Sequence, residues 1–243
     1  MFSATMPSKI KKLSSSILIN PTEISIELSK PVEGVLQAAY LVNTPHKDKL
    51  IVKLIKDKPE YNSILIFTST KSMVNQIVRS MKSAGFVSRG ISSDYEQKER
   101  EEVLRSFRAR NTRVLVATDV LSRGIDIKDI NLVINYDVPN DAEDYVHRVG
   151  RTARALTTGV ALTLINEDDM YKFLSIERLI DSEIHKINLP PEIGESPVWN
   201  PKPQSNFRGR GGNKGKGGFK GKSNRGKNQG RPSDPKRSFR KKQ

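Results

Sequence analysis

Four short stretches constrain this chain most: ILIFT (64–68), RVLVAT (113–118), LVINYDV (132–138) and GVALTLI (159–165). Each is dominated by β-branched and other apolar residues without regular polar alternation, as expected of a strand buried on both faces. QAAYLV (37–42) and FVSRGI (86–91) are also strand-like. Helical spacing fills the intervals. Lys47 to Lys58 puts Leu50, Ile51, Leu54 and Ile55 on one stripe. Ser69–Ala84 reads as a helix stopped by Gly85, and Glu96–Arg108 as one with Val103, Leu104 and Phe107 inside. Ala142–Val149 and Glu167–Leu179 complete the set. Strands alternating with helices need crossover connections, so the expected fold is α/β, a central parallel sheet flanked by helices. Ligands then belong at the loops after the strands' carboxyl ends.

The flanks differ in kind. Residues 1–34 hold too little apolar material for a core, and SILINPTEISIEL suggests one or two short strands. The body is expected over 35–190. From 191 a proline-broken linker leads into a Gly/Arg/Lys-rich stretch expected to be disordered through 243. Of 42 Lys and Arg, 15 lie in 201–243 against a single acid, Asp234, so the tail carries +14 of the net +15. A near-neutral body with a cationic tail favours polyanions, chiefly nucleic acid. The chain has no cysteine, and its three histidines, His46, His147 and His185, are too dispersed for a structural metal site. No apolar run approaches the roughly 18 residues of a membrane span, and the first residues are not a secretory signal. A soluble, cytoplasmic protein without a membrane is expected. GKS at 221–223 resembles the end of a phosphate loop, but Lys216 replaces the required glycine and no strand precedes it.

Candidate chemistry gathers after the strands. In VLVATDVLSRGIDI (114–127), Thr118, Asp119, Arg123, Gly124 and Asp126 follow a buried strand. Thr118 suits a phosphate oxygen and Asp126 a ribose, with a helix cap and a turn salt bridge as the alternative. In HRVGRTAR, Arg151 and Arg154 lie three apart and can converge on one triphosphate; ordinary surface ion pairs are the alternative. Gln97 and Arg100 open a helix where they contact phosphate, or Arg100 pairs with Glu96. Thr68, Ser69 and Thr70 follow ILIF as phosphate contacts or helix caps. Arg208, Arg210 and Arg225 stand for the tail's sequence-blind phosphate binding, with Phe207, Phe219 and Phe239 available for stacking.

In order, FSATMP, IFTST, QKER, ATDVLSRGIDI and HRVGRTAR resemble the motifs of DEAD-box RNA helicases over roughly residues 1–190. The resemblance implies the end of a first RecA-like domain, a complete second one and an RNA-anchoring tail. It implies that Ser3 and Thr5 couple ATP hydrolysis to strand separation, and that Thr118, Gly124 and Arg100 shape the RNA backbone site. It further implies that Asp126 holds the ATP ribose, that Arg151 and Arg154 reach the γ-phosphate, and that His147 and Arg148 organise the interdomain network. Two departures stand out. Ser92-Ser93 occupies the place of a common His-Gly, and the adenine-reading glutamine motif, the phosphate loop and the Asp-Glu-Ala-Asp motif are absent from these residues. ATP and Mg²⁺ are therefore expected in the intact enzyme, with Mg²⁺ held by a first domain supplied in cis, and this chain alone is expected not to hydrolyse ATP. A non-enzymatic RNA-binding protein is the alternative, and a DNA helicase of related fold a third reading.

Overall fold

The structure is a computed structural model that describes residues 8–20, 22, 34–119, 130–152 and 159–202. Two compact units divide the chain at Gln204 and Ser205, and every described residue lies in the first.

After helix α1 (Ser8–Ile17) the described body alternates strands and helices: β1 (Val35–Leu41), α2 (Lys47–Ile55), β2 (Ile64–Phe67), α3 (Lys71–Ser83), β3 (Ser88–Ile91), α4 (Gln97–Arg108) and β4 (Val114–Ala117). It continues with β5 (Leu132–Asn135), α5 (Ala142–Val149), β6 (Gly159–Ile165), α6 (Met170–Leu179) and β7 (His185–Asn188). The strands form one sheet in the order β3-β4-β2-β5-β6-β1-β7, and every pairing is parallel. The α/β parallel architecture expected from the alternating runs is the one observed.

The apolar runs are continuous because each strand supplies two cores. Leu65, Phe67, Leu115, Ala117 and Val133 face one layer with Val103 and Phe107 of α4, Tyr145 and Val149 of α5, and Phe173 and Ile176 of α6. Their neighbours Ile64, Ile66, Val114, Val116, Leu132 and Ile134 face the other, with Leu50, Ile51 and Ile55 of α2 and Val74, Ile77 and Met81 of α3. A period of two along each strand thus sends alternate residues to opposite helical layers. Gly85 follows α3 at φ +87°, the left-handed stop that its position predicts.

Three segments differ from expectation. Ser16 and Ile17, read as part of a strand, end α1. HKIN, unassigned from sequence, is edge strand β7, paired with β1 through Ala38–His185 to Leu41–Asn188. Beyond 190 the chain stays packed on the body through residue 200. Ile193 joins the α2–α3 core layer, Trp199 meets Phe173 edge-to-face at 6.3 Å between ring centroids, and the Leu189 amide donates to Ser196 Oγ at 2.5 Å. Lys186 Nζ sits 4.6 Å from the Trp199 ring centroid. The prolines break regular structure there without preventing Ile193 and Trp199 from packing, half-buried, against the body. The remaining expectation of disorder, from 203 to 243, falls outside the described residues, as does the later part of SILINPTEISIEL, 23–28. Among the described residues, no helix is long and apolar enough to cross a membrane.

Candidate functional site

Register brings three loop starts together. Phe67 pairs with Ala117 on one side and Asn135 on the other, so the residues after β2, β4 and β5 emerge side by side at one edge. Backbone bonds continue the match: Thr68 N–H donates to Ala117 O at 3.0 Å and Tyr136 N–H to Phe67 O at 2.9 Å. At this edge lie Thr68, Thr118, Asp119 and Asp137.

Arg148, on the last turn of α5, is 1% exposed and faces inward to this edge. Its Nε and Nη2 donate to Oδ1 and Oδ2 of Asp119 at 2.6 and 2.7 Å. Nη1 donates to Asn135 Oδ1 at 3.1 Å and to the Asp137 carbonyl at 2.8 Å. The guanidinium carbon stands 5.1 Å from the Phe67 ring centroid. A planar fork suits this task, since one group engages a carboxylate bidentately and still reaches two more acceptors. The interdomain role implied for Arg148 meets a geometric fact: its donors are used inside the domain, tying α5 to the ends of β4 and β5.

A second buried cation lies nearby. Lys47, at the start of α2, is fully buried; its Nζ donates to the Tyr136 carbonyl at 2.5 Å and lies 3.6 Å from Asp137 Oδ1. Asp137 Oδ2 accepts from Thr68 Oγ1 at 2.7 Å and from the Ser69 amide at 2.8 Å. Burial alone would push the Asp137 carboxyl up, but the Thr68 and Ser69 hydrogen bonds and the Lys47 charge outweigh it and hold it below its ordinary value. Burial pushes the Lys47 ammonium down, opposed chiefly by Asp137 and then Asp169.

The other expected residues divide by location. Thr68 is fully buried and its hydroxyl donates a hydrogen bond to Asp137 Oδ2, so its side chain braces the domain rather than facing a phosphate. Thr118 is 9% exposed at the end of β4. Thr70 is exposed and caps α3, accepting from the Met73 amide at 3.3 Å, which is the helix-cap alternative. Gln97 donates to Glu101 Oε1 at 2.9 Å. Arg100 is half-buried, with its Nε buried and without a hydrogen-bond partner; Glu96 is the cap of α4, its amide donating to Glu99 Oε2 at 3.0 Å. His147 Nδ1 is buried 4.0 Å from Asp144 Oδ1.

Arg151 lies half-buried in the turn that follows α5. That turn is pinned on both sides. Arg148 anchors the preceding helix, while Thr152, fully buried, donates from Oγ1 to the Ile130 carbonyl at 2.5 Å. Gly159 passes so close that a Cβ there would stand 2.2 Å from the Thr152 carbonyl oxygen, which only glycine tolerates. Ser3, Thr5, Gly124, Asp126, Arg154, Arg208, Arg210 and Arg225 lie outside the described residues.

Lys47, Asn135 and Asp137 were missed from sequence as parts of the site. Asp137 offered a signal, an acid directly after a buried strand, but its cation lies 90 residues earlier.

An all-parallel sheet with two helical layers, and with polar loops meeting beside its central strands, defines a RecA-like α/β domain. Residues 46–156 match the helicase conserved C-terminal domain. The chain is 36% identical over 198 residues to DEAD-box ATP-dependent RNA helicase 46 of Arabidopsis thaliana, covering 80% of this chain and 30% of that protein. A DEAD box protein from the hyperthermophile Methanococcus jannaschii superposes with a TM-score of 0.61 at 36% identity, covering 76% of this chain and 50% of that one. S. cerevisiae Dbp5 bound to RNA and ADP BeF3 gives a TM-score of 0.68 at 28% identity, with 77% and 50% covered. The chain belongs to the DEAD-box RNA helicase family, in the region of its C-terminal RecA-like domain. It spans about a third of the length of the curated relatives it matches.

Proposed function

We propose that this chain is the second half of the core of an ATP-dependent RNA helicase. Its strand-end edge contacts an RNA backbone, and its arginines complete an ATP site held mainly by another RecA-like domain. In that reading Arg151, with Arg154, neutralises charge developing on the γ-phosphate, a contribution of about 10³–10⁵ in turnover for an arginine finger. Asp126 holds the ribose. Thr70, Thr118, Gly124, Gln97 and Arg100 border the RNA path, Ser3 and Thr5 serve coupling, and Arg208, Arg210 and Arg225 of the tail retain RNA between cycles. His147 and Arg148 serve the interdomain network, Arg148 by fixing the helix that carries the arginines.

The observation that supports this reading most is the Arg148–Asp119 contact. It holds the helix of HRVGR and the loop of ATD as one body, with Arg151 in the next turn. Two motifs distant in sequence are thereby set in fixed relation, as a shared ligand requires.

These 243 residues contain neither a phosphate loop nor an Asp-Glu-Ala-Asp motif. Among the described residues, no group of His, Asp and Glu is arranged to hold a metal ion. ATP and Mg²⁺ binding is therefore assigned chiefly to a first RecA-like domain joined in cis, and we place the enzyme in the cytoplasm. The 243-residue polypeptide by itself does not turn over ATP in this account; RNA-stimulated hydrolysis by the purified chain would refute that. The tail's charge of +14 favours one second reading, an RNA-binding protein without catalysis.

A further inference from the structure

Lys47 is an expensive residue to keep. An ammonium at the start of a helix faces the positive end of the helix dipole, and a fully buried one gives up its hydration as well. Replacing a buried ion pair by apolar residues of similar volume is often neutral or stabilising, so cohesion alone does not explain its presence. Its contacts suggest what it does. The ammonium bonds the Tyr136 carbonyl, lies 5.0 Å from the Tyr136 ring centroid and faces Asp137 Oδ1. The other oxygen of Asp137 holds both Thr68 Oγ1 and the Ser69 amide. One carboxylate therefore bridges a buried cation and the turn joining β2 to α3. Ser69 and Thr70, the next residues of that turn, are exposed.

We propose that Lys47 is a positioning residue: by holding Asp137 in place beneath the β2–α3 turn, it presets Ser69 and Thr70 for an RNA phosphodiester backbone. This rests on the reading of that turn as an RNA contact. A turn fastened through Thr68 and the Ser69 amide to a half-buried carboxylate holds its exposed side chains in a single arrangement. Without the cation, the half-buried carboxylate loses its partner at Oδ1 and turns toward water, which loosens its grip on Thr68 and the Ser69 amide.

The test is photo-crosslinking of the full 243-residue chain to an oligouridylate, with crosslinked peptides mapped by mass spectrometry. Yield at the peptide containing residues 68–71 is compared with yield at the tail peptides, which bind independently of the turn. Lys47→Met should lower the yield at 68–71 about fivefold, the equivalent of one positioned hydrogen bond, and leave the tail yield unchanged. Asp137→Asn should also lower it, and the double variant Lys47→Met/Asp137→Asn should fall no further than Asp137→Asn alone. An unchanged yield at 68–71 in Lys47→Met would overturn the inference. So would a double variant in which the two losses multiply, since Lys47 would then act independently of Asp137. If Lys47→Met does not fold, the neutral double variant against Asp137→Asn decides by the same comparison. No crosslink at 68–71 in the parent would sink the RNA reading of the turn and this inference with it.

Discussion

Arg148 grips both carboxylate oxygens of Asp119, Nε to Oδ1 and Nη2 to Oδ2, across 29 residues of sequence. The contact joins the end of β4 to the helix whose following turn carries Arg151. Arg148 is buried and Asp119 is 30% exposed at its side chain, so the pair is shielded on one side only. Removing one partner of a fully buried pair costs about 3–5 kcal/mol, and this geometry places Arg148→Ala near the lower end, at about 3 kcal/mol. Arg148→Lys keeps the charge but loses the fork, and should recover only part of that. Urea unfolding followed by circular dichroism measures both.

Asp137 supplies a pH dependence with a defined sign. Its folded pKa lies below the ordinary value of 3.8, so its interactions stabilise the fold fully above about that pH. As pH falls below it and through the folded pKa, that contribution is lost. The stability advantage of the parent over Asp137→Asn should be constant near neutrality and shrink below about pH 4. Chemical unfolding at pH values from 6 down to 2.5 would show it; a difference that stays constant would contradict the role given to the Thr68, Ser69 and Lys47 contacts.

Trp199 tests how far the body extends. It is the chain's only tryptophan and packs edge-to-face on Phe173. Its fluorescence should therefore report the global unfolding transition. Trp199→Ala should cost about 1–2 kcal/mol, less than a fully buried aromatic because the ring is half-exposed. Coincident fluorescence and circular dichroism transitions are expected.

What the sequence reveals of this fold follows from how local each signal is. The runs ILIF, VLVA and LVIN are buried on both faces, and GVALTLI is so apart from the half-buried Val160 and Leu162; that burial is written into consecutive residues. HKIN is not legible in the same way. It is an edge strand with His185 and Asn188 exposed, so its composition carries no burial pattern, and only pairing with β1 makes it a strand. The site divides likewise. Arg151 and Thr118 are recognisable from motifs, but Thr68 reads equally as a phosphate ligand or a brace until Asp137 is placed beside it. Lys47 looks like a solvated helix-end charge, because the carbonyl that it bonds is 89 residues away.

The tail should dominate the salt dependence of RNA affinity. A chain ending at Gln204, the boundary of the first compact unit, loses 14 basic residues and one acid. Each phosphate neutralised on a single strand contributes a slope of about −0.7 in log affinity against log salt. Titrations of an oligoribonucleotide over a range of salt concentrations should give a steep slope for the full chain and a much flatter one for the shortened chain. Equal slopes would remove the tail from RNA binding.

The central claim is that Arg151 completes an ATP site built on another domain. RNA-stimulated ATP hydrolysis, measured with the 243 residues fused behind the first RecA-like domain of a DEAD-box helicase, tests it most directly. The fusion should hydrolyse ATP where the chain alone does not, and Arg151→Ala in the fusion should lower turnover about 10³-fold or more. An active fusion whose turnover is unchanged by Arg151→Ala would contradict the account.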